Sequence, residues 1–539
     1  MDIKTVSFTA FIDQSPGTSG LRKSVKHFQQ PHYTESFIQA IFSTLGAENK
    51  TIVLGGDGRF YNETAIQIVI KMAAAQGVKR LIIGENGLLS TPAASHIIRH
   101  YQADYGIILS ASHNPGGENG DFGIKFNLNA GQPAPESATN AVFETSKQLK
   151  EYTIADITLP ALNTIGQHTL GTMTLDIISS TEDYADLMEQ LFDFDKIRQY
   201  LSANPIIFDA MHAATGPYAK EIFSHRLGLP EHYLINTTPL PDFGGGHPDP
   251  QPSHAQDLQA AMQKHPEAIM GAASDGDGDR NLIMGRKHFV NPCDSLAIIA
   301  DRHTDIACLA ELTGIGRTMP TSRAIDAVAQ AKQLACYETP TGWKFFANLL
   351  DANKIQLCGE ESFGTGGNHI REKDGIWTIL CWLSLLAQNQ QTLDTLLTNH
   401  WNTYGRHHFN RFDYTELDKN QAQEMINAFE QNMRKHIGSE MSGLTVTHAA
   451  QFNYTDPTNN EISPNQGLQI QFGQRARIIC RLSGTDTRGA TLRLYCEYWQ
   501  QPGERTPALV GTTTTLATLA QNIMDMQRHI GRSQPNNIA

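Results

Sequence analysis

Residues 273–281 read Ala273-Ser274-Asp275-Gly276-Asp277-Gly278-Asp279-Arg280-Asn281, which sets three carboxylates at alternate positions. Repulsion between unpaired acids in a partly buried loop raises carboxyl pKa values, whereas a hard divalent cation accepts several such oxygen ligands. The two intervening glycines lack Cβ atoms, so the chain can turn tightly around an ion. The stretch therefore predicts a divalent metal site, with a solvated aspartate-glycine turn as the alternative.

The residues on either side of this loop indicate the fold that carries it. An EF-hand loop needs a glycine and a glutamate where this chain has Arg280 and Arg286, so that motif is excluded. The apolar run at 267–273 predicts a buried strand that ends at the metal loop. Open α/β sheets bind their ligands at the C-terminal ends of strands, so the loop favours an α/β fold.

The first third of the chain has the pattern of a doubly wound sheet. Strands are predicted at 51–55, 80–84 and 105–109, with helices at 63–76 and 92–101 between them. The segment 131–180 has only weak signals. One helix is predicted over 183–200, followed by a strand at 205–209.

The chain of 539 residues predicts three or four domains at about 150 residues each. We expect boundaries that give α/β domains at 1–182, 183–302 and 303–400. The remainder, 401–539, has a helix predicted at 416–435, strands at 468–472 and 475–482, and a closing helix at 516–529. That order is typical of a separate α+β domain.

Composition excludes several classes of protein. The net charge of −13 argues against general nucleic-acid binding, although a local basic pocket can still hold a small anion. The longest apolar run, 376–387, is too short to span a bilayer, and the start of the chain lacks a signal-peptide pattern. Seven cysteines without a Cys-x-x-Cys pair indicate reduced thiols. We expect a cytoplasmic protein that binds no membrane.

A serine is presented by the loop Ser110-Ala111-Ser112-His113-Asn114-Pro115-Gly116-Gly117, which follows a predicted strand. Taken alone, Ser112 is either a nucleophile or an ordinary turn serine. The esterase motif Gly-x-Ser-x-Gly is absent, and His113 should point away from Ser112 if both lie on a strand, so a serine hydrolase is not indicated. Neither a Walker A loop nor Gly-x-Gly-x-x-Gly occurs, which argues against a nucleotide-dependent kinase or dehydrogenase.

Glycines, hydroxyl residues and arginines recur together at both ends of the chain. They occur in Pro16-Gly17-Thr18-Ser19-Gly20-Leu21-Arg22-Lys23 and in Arg481-Leu482-Ser483-Gly484-Thr485-Asp486-Thr487-Arg488-Gly489, with Arg493 nearby. Backbone N–H groups, hydroxyls and guanidinium groups are the donors that a phosphate needs. Both stretches are candidate phosphate sites, and solvated polar turns are the alternative.

Two further loops lie in the third unit. Thr339-Pro340-Thr341-Gly342-Trp343-Lys344 and Cys358-Gly359-Glu360-Glu361-Ser362-Phe363-Gly364 combine turn residues with polar side chains that suit sugar hydroxyls. Arg371-Glu372-Lys373-Asp374 adds a lysine able to face a phosphate or carry a proton. A helix cap or a solvated stretch would explain the same acids.

Taken in order, these loops resemble the α-D-phosphohexomutase superfamily along nearly the whole chain. The loops at 341–344 and 359–364, together with Phe243-Gly244-Gly245-Gly246-His247-Pro248-Asp249-Pro250, are more similar to its glucose-specific branch than to its mannose or glucosamine branches. The resemblance implies an α/β protein with three related α/β/α mixed-sheet domains and a C-terminal α+β domain around a central active-site cleft.

The resemblance also implies roles for individual residues. Ser112 would be the phosphoserine and would hold Mg²⁺ with Asp275, Asp277 and Asp279. Catalytic groups around it would be His113, Lys125, Arg22, Arg280 and Lys373. The substrate would be bound by Thr341, Gly342, Trp343, Glu360, Ser362, Arg481, Ser483, Gly484, Thr485 and Arg493.

The implied reaction interconverts glucose 1-phosphate and glucose 6-phosphate through a phosphoserine and glucose 1,6-bisphosphate, which also serves as activator. The alternatives are a phosphomannomutase, a hexose phosphomutase of dual specificity, and a catalytically silent sugar-phosphate binding protein. The expected partners are small sugar phosphates, with no nucleic acid and no membrane, and the expected state is a monomer or dimer.

Overall fold

The computed structural model describes residues 1–17, 20–483, 489–504 and 512–539. They divide into two compact units. The first unit consists of Met1–Val290, Arg302–Glu311 and Ser362–Leu393, and the second consists of Asn291–Asp301, Leu312–Glu361 and Asp394–Ala539.

The regular elements alternate between strands and helices over most of the chain. The strands are β1 (Asp2–Ser7), β2 (Leu21–Ser24), β3 (Thr51–Gly56), β4 (Arg80–Leu88), β5 (Tyr105–Leu109), β6 (Asp121–Leu128), β7 (Glu151–Asp156), β8 (Gly166–Leu170), β9 (Met173–Ile178), β10 (Ile206–Asp209), β11 (Leu234–Ile235), β12 (Met270–Ser274), β13 (Asn281–Met284), β14 (Gly314–Thr318), β15 (Ala335–Thr339), β16 (Leu357–Glu360), β17 (Gly364–Gly367), β18 (Arg406–Leu417), β19 (Glu440–Met441), β20 (Leu444–Thr445), β21 (His448–Gln451), β22 (Tyr454–Thr455), β23 (Ile462–Ser463), β24 (Leu468–Phe472), β25 (Ala476–Ser483), β26 (Ala490–Gln500) and β27 (Asn537–Ile538). The α-helices are α1 (Val25–Phe28), α2 (Tyr33–Leu45), α3 (Asn62–Ala75), α4 (Thr91–His100), α5 (Glu136–Ser146), α6 (Glu182–Leu191), α7 (Phe194–Leu201), α8 (Thr215–Ala219), α9 (Gln256–Lys264), α10 (Pro292–Asp301), α11 (Ala324–Lys332), α12 (Trp343–Asp351), α13 (Gly375–Asn389), α14 (Leu393–Tyr404), α15 (Lys419–Met433), α16 (Thr512–Ile523) and α17 (Met526–Ile530).

The first unit is built on a seven-stranded mixed sheet in the order β2-β6-β5-β3-β4-β9-β8. Its four central strands are parallel, and β6, β2 and β8 pair antiparallel at the two sides. Successive residues of β3 enter opposite cores: Ile52 and Leu54 pack with α2 and α3, whereas Val53 packs with α4. Burial of both faces explains why the central strands are continuous apolar runs.

A second sheet of the first unit carries the acidic loop. Its order is β11-β10-β12-β13, with β10 parallel to β11 and β12, and with β13 antiparallel to β12. All five residues of β12 are buried, as expected of a strand covered on both faces. The loop therefore leaves the C-terminal end of a buried strand, as the sequence predicts.

The second unit contains two kinds of sheet. Strands β15, β14 and β16 are parallel neighbours, and β21-β24-β25-β26-β18-β27 form an antiparallel sheet. Residues of α15 and α16 pack on one face of the antiparallel sheet. Ile479 and Tyr495 pack on its other face with Met319 and Cys293. The α/β class with a C-terminal α+β region is confirmed.

Two sequence-based helix boundaries were wrong, and one weakly patterned segment contains regular structure. The weakly patterned segment 131–180 contains α5 and three strands, of which β9 lies inside the main sheet. The helix expected over 183–200 is two helices, because Asp193 caps α7 by accepting a hydrogen bond from Lys196 N at 3.0 Å. The helix expected from residue 416 begins at Lys419, since Glu416 still belongs to β18.

Within the described ranges, no helix is both long enough and apolar enough to cross a bilayer.

Candidate active site

Ser112 lies just beyond β5 in a strained and tightly held turn. Its φ of 53° is in the left-handed region, which costs a residue with a side chain on the order of 1–2 kcal/mol. Ser112 N donates to Ser110 Oγ at 2.7 Å, and Arg59 Nη2 donates to the Ser112 carbonyl at 2.6 Å. The turn directs the hydroxyl to Asp275, whose Oδ2 accepts a hydrogen bond from Ser112 Oγ at 2.8 Å.

Arg59 and Asp57, which follow β3, brace this turn. Arg59 Nε donates to both oxygens of Asp57 at 3.1 and 2.9 Å, and Arg59 Nη1 donates to the Asp121 carbonyl at 2.9 Å. Ser110 Oγ donates to Asp57 Oδ2 at 2.6 Å. Burial raises the pKa of Asp57, and the charge of Arg59 opposes that rise. The ion pair therefore fixes the turn through bonds that the local sequence does not indicate.

The loop after β12 gathers the three aspartates. Asp275, Asp277 and Asp279 are buried, and each offers a carboxylate oxygen within 4.8 Å of the others. A Cβ atom on Gly276 would lie 2.5 Å from the Ser112 carbonyl, so only glycine fits there. Gly278 has a φ of 81°, a conformation that glycine adopts without strain. These backbone requirements explain the alternation of aspartate and glycine.

The acidic group fits a hard dication. Asp277 Oδ1 and Asp279 Oδ1 are buried and accept no hydrogen bond from any described residue. Buried unsatisfied carboxylate oxygens are costly, and Mg²⁺ is bound by oxygen ligands of this type. Burial, with the charges of Asp279 and Asp277, raises the pKa of Asp275 well above its usual range. The position of three buried carboxylates therefore favours a bound cation.

Lys125 pairs with the central aspartate of the group. Its Nζ lies 2.7 Å from Asp277 Oδ2, which also accepts a hydrogen bond from Thr91 Oγ1 at 2.7 Å. Burial alone would lower the pKa of Lys125, but Asp277 and further carboxylates outweigh it and raise that pKa to about 12. Burial likewise raises the pKa of Asp277, and Lys125 reverses the shift so that the net pKa is lowered. This pair is therefore charged at neutral pH.

The other cations predicted from sequence in the first unit gather around the same group. Lys373 Nζ lies 3.2 Å from Asp279 Oδ2, and Arg280 N donates to Asp275 Oδ1 at 3.0 Å. Arg22 Nε is buried and has no hydrogen-bond partner among the residues that the structure describes. Burial lowers the pKa of Arg22, and the charge of Asp277 opposes that shift. The structure thus brings Arg22, Lys125, Arg280 and Lys373 to the serine and the aspartates.

The side chain of His113 points in a different direction from the one that the sequence predicted. The sequence predicted that it points away from Ser112, but its Nδ1 lies 3.5 Å from Ser112 Oγ. The prediction assumed extended backbone, and the left-handed φ of Ser112 turns the next side chain back. Burial, followed by the charges of Arg280 and Arg22, lowers the pKa of His113 well below its usual value. The imidazole is therefore neutral beside the hydroxyl.

The candidate phosphate residues at the end of the chain belong to the second unit. Arg481 of β25 and Arg493 of β26 are direct cross-strand partners, as are Ser483 and Thr491. Like charges opposite each other are unfavourable unless an anion or acid compensates them. Asp413 Oδ1 lies 3.7 Å from Arg493 Nε, so the two arginines outnumber this one carboxylate among the described residues named here. Gly484 and Thr485 lie outside the described residues.

The candidate sugar loops follow β15 and β16 in the second unit. Gly342 has a φ of 126° and immediately precedes α12, which Trp343 begins. Thr341 Oγ1 and Trp343 Nε1 are buried and have no hydrogen-bond partner in the described part of the chain. Glu360, at the end of β16, is 6% exposed. Ser362 belongs to the first unit and is half-buried.

Sequence reasoning missed several contributors to the site. Asp57 and Arg59 follow a predicted strand, so the polar stretch Asp57-Gly58-Arg59 was a usable signal at a strand end. Thr91 carried no such signal, because its contact with Asp277 joins residues far apart in sequence. Asn127 and Glu372 are also buried near the cations, where Asn127 Nδ2 donates to Glu372 Oε1 at 2.8 Å.

Family models cover most of the chain. Those described as phosphoglucomutase/phosphomannomutase alpha/beta/alpha domains I, II and III match residues 13–153, 182–288 and 292–404. The model of the phosphoglucomutase-1 C-terminal domain matches residues 406–536.

Full-length relatives have the same description. The chain is 48% identical to a phosphoglucomutase of Rhizobium radiobacter and 46% identical to phosphoglucomutase-1 of Homo sapiens, in each case over 99% of both chains. Among solved structures, it matches the open form of pp63/parafusin, a phosphoglucomutase from Paramecium. That match has a TM-score of 0.91 and 40% identity, over 100% of this chain and 99% of the other.

Proposed function

Because the chain belongs to the phosphoglucomutase family and interconverts glucose 1-phosphate and glucose 6-phosphate, we propose that it does so through a phosphoserine at Ser112. The observation that carries this proposal is the 2.8 Å hydrogen bond from Ser112 Oγ to Asp275 within a group of three buried aspartates. Glucose 1,6-bisphosphate is the intermediate, and it also restores the phosphoserine when that group is lost.

The chemistry balances as two phosphoryl transfers. In the first, the Ser112 Oγ–P bond breaks as the phosphoryl group forms a bond to O6 of glucose 1-phosphate. The O6 hydroxyl gives up its proton, and Ser112 Oγ takes up a proton to become a hydroxyl. In the second, the intermediate has reversed its orientation, its O1–P bond breaks, and the phosphoryl group forms a bond to Ser112 Oγ, which gives up its proton. O1 takes up a proton, so the product is glucose 6-phosphate.

Ser112, Asp275, Asp277 and Asp279 would hold Mg²⁺ in this proposal. When bound, the ion neutralises charge that develops on the transferring phosphoryl group. The two carboxylate oxygens without a hydrogen-bond partner in the described chain support this assignment. Lys125 keeps Asp277 ionised and in place through its 2.7 Å ion pair.

We assign proton handling by position. Lys125 forms an ion pair with Asp277 and stays protonated, so it stabilises negative charge and does not act as a base. His113 Nδ1 lies 3.5 Å from Ser112 Oγ and can hold the proton that enters or leaves there. Lys373 and Arg280 flank the aspartates, where they and Arg22 would stabilise phosphoryl oxygens.

The residues of the second unit would bind the part of the substrate that does not react. Arg481, Ser483 and Arg493, with Gly484 and Thr485, would form the site for the distal phosphate. The pairing of Arg481 with Arg493 supports this role, and hydroxyl and guanidinium donors can accept a phosphate in both orientations of the sugar. Thr341, Gly342, Trp343 and Glu360 would bind the sugar hydroxyls, and Ser362, which belongs to the first unit, would do the same.

Domains at 1–182, 183–302, 303–400 and 401–539, a cytoplasmic location and a monomeric or dimeric state complete the proposal.

The test uses intact mass before and after incubation with glucose 1,6-bisphosphate, with the added group mapped to a peptide. Wild-type protein should gain one phosphoryl group on the peptide that contains Ser112. The Ser112→Ala variant should gain none and lose turnover, yet still bind glucose 6-phosphate. The exposed Ser202 provides a matched control, and S202A should behave as wild type. Turnover in S112A, or a phosphoryl group on another peptide, would disprove the assignment.

A further inference from the structure

We propose that His247, Asp249 and His254 form a second metal site, which takes a transition-metal dication such as Zn²⁺. The three side chains belong to the first unit and offer ligand atoms that all lie within 4.8 Å of one another. This group is chemically unlike the aspartates at 275–279, since two of its three ligands are imidazoles.

The backbone of the loop brings these residues together. Asp249 N donates to the His247 carbonyl at 2.8 Å, Gln251 N donates to the Asp249 carbonyl at 2.7 Å, and His254 N donates to the Gln251 carbonyl at 2.9 Å. The two histidine rings lie with their centroids 4.4 Å apart. The successive turns therefore bring the three side chains together, and Gly276 N, which donates to the Pro248 carbonyl at 3.2 Å, fixes the loop from a distant segment.

One ring nitrogen of the cluster has no hydrogen-bond partner in the described chain. His247 Nδ1 is buried and has no hydrogen-bond partner among the described residues. A neutral imidazole with a free ring nitrogen is the form that binds a metal.

Asp249 supplies the anionic ligand. It is 3% exposed, and its Oδ2 lies 4.0 Å from His254 Nδ1. Its carboxylate accepts hydrogen bonds from the Arg280 and Gln251 side chains. A carboxylate has about four lone-pair positions, so two remain for an ion. His254 is exposed, which gives an ion a path from solvent.

The ligand types select the class of ion. Imidazole nitrogen suits Zn²⁺, Cu²⁺, Ni²⁺ and Co²⁺, whereas Mg²⁺ prefers oxygen. Tetrahedral Zn²⁺ with bonds of about 2.0–2.1 Å needs ligand atoms about 3.3 Å apart, so the loop must close slightly on the ion. Two His and one Asp leave a fourth position for water, as in open zinc sites.

The site also adjoins the catalytic loop. Arg280 Nη1 lies 3.3 Å from Asp249 Oδ1, while Arg280 N donates to Asp275 Oδ1. An ion on Asp249 would weaken its attraction for the Arg280 guanidinium. Occupancy would therefore change the charge beside the aspartates.

The first test measures Zn²⁺ binding by calorimetry in excess Mg²⁺. Wild-type protein should bind Zn²⁺ at this site, and H254F should lose affinity by more than about 100-fold, the upper end of what loss of an outer-shell partner costs. The matched control H448F removes another exposed histidine and should bind as wild type. D279N removes a carboxylate of the other group and should keep this binding event.

The second test is Cu²⁺ electron paramagnetic resonance on the same proteins. Wild type, H448F and D279N should show coupling to two imidazole nitrogens, and H254F should show fewer. His254 lies outside the catalytic machinery, so Mg²⁺-supported turnover of H254F should equal that of wild type and confirms its fold. Unchanged Zn²⁺ affinity in H254F, loss of this binding event in D279N, or no nitrogen coupling in wild type would each overturn the proposal. None of these readouts depends on the catalytic role of Ser112.

Discussion

Replacing Arg59 with lysine tests whether a distant cation holds the serine turn in its strained conformation. The Arg59 guanidinium is buried and donates to Asp57 and to the carbonyls of Ser112 and Asp121. The single ammonium of lysine can keep the bond to Asp57, but it cannot reach both carbonyls. The R59K variant therefore leaves the buried Ser112 carbonyl, the partly buried Asp121 carbonyl, or both without this donor.

The magnitude follows from those two acceptors. An unsatisfied buried acceptor costs about 1–3 kcal/mol, so loss of one or both bonds should lower the free energy of unfolding by about 1–6 kcal/mol. The left-handed backbone of Ser112, worth on the order of 1–2 kcal/mol of strain, is then free to relax. Because a displacement of about 1 Å can cost about 100-fold in rate, kcat should fall by about that factor while KM changes little.

Urea unfolding and steady-state kinetics measure the two effects. The control is R198K, since Arg198 forms an exposed ion pair with Asp195 at 2.5 Å and such pairs contribute about 0–1 kcal/mol. R198K should match wild type in both assays. An R59K protein with wild-type stability and wild-type kcat would show that the turn does not depend on this brace.

Three further perturbations address other parts of the chain. Gly276→Ala places a Cβ 2.5 Å from the Ser112 carbonyl, so Mg²⁺-dependent turnover should fall by about 100-fold or more, and wild-type rates would refute the packing argument. Arg493→Met should raise KM for glucose 1-phosphate far more than it lowers kcat, and an unchanged KM would refute its role with the distal phosphate. Burial raises the pKa of Glu497, but the charge of Arg477 outweighs burial and holds that pKa well below its usual range. The stabilisation by Glu497 is thus complete above its unfolded pKa of about 4.3 and is lost as pH falls below that value. The free energy of unfolding of E497Q should be about 3–5 kcal/mol lower than that of wild type at pH 7, and its urea midpoint should depend less on pH. A urea midpoint that varies with pH as in wild type would contradict this.

The strands that support the site were predictable because their burial leaves a local pattern. The run at 105–109 and the run before residue 275 are apolar on both faces, and each ends in a loop with turn residues. Ligand groups at the ends of such strands follow from the α/β architecture. The serine and the three aspartates can therefore be placed at strand ends from the sequence alone, whereas the role of Lys125 was implied only by the family resemblance.

Strands β7 and β8, which prediction missed, have weak local patterns, whereas the missed strand β9 is almost wholly buried. Strand β8 alternates exposed and half-buried residues, and β7 has two fully buried residues out of six. The break between α6 and α7 depends on one capping aspartate within a continuous amphipathic pattern. Periodicity reports which face is buried, so it is insensitive to a short edge strand or a single cap.

The sequence by itself determined the chemistry available at the site: one serine in a turn, three carboxylates spaced by glycines, and cations on neighbouring loops. These features are local, because each depends on residue types and φ angles within a few positions of the sequence. Only the tertiary structure decided which charges meet. The contacts of Asp277 with Lys125 and of Arg59 with the Ser112 carbonyl join segments 152 and 53 residues apart. Such pairs are set by strand order and chain crossings, which leave no periodic trace in either segment.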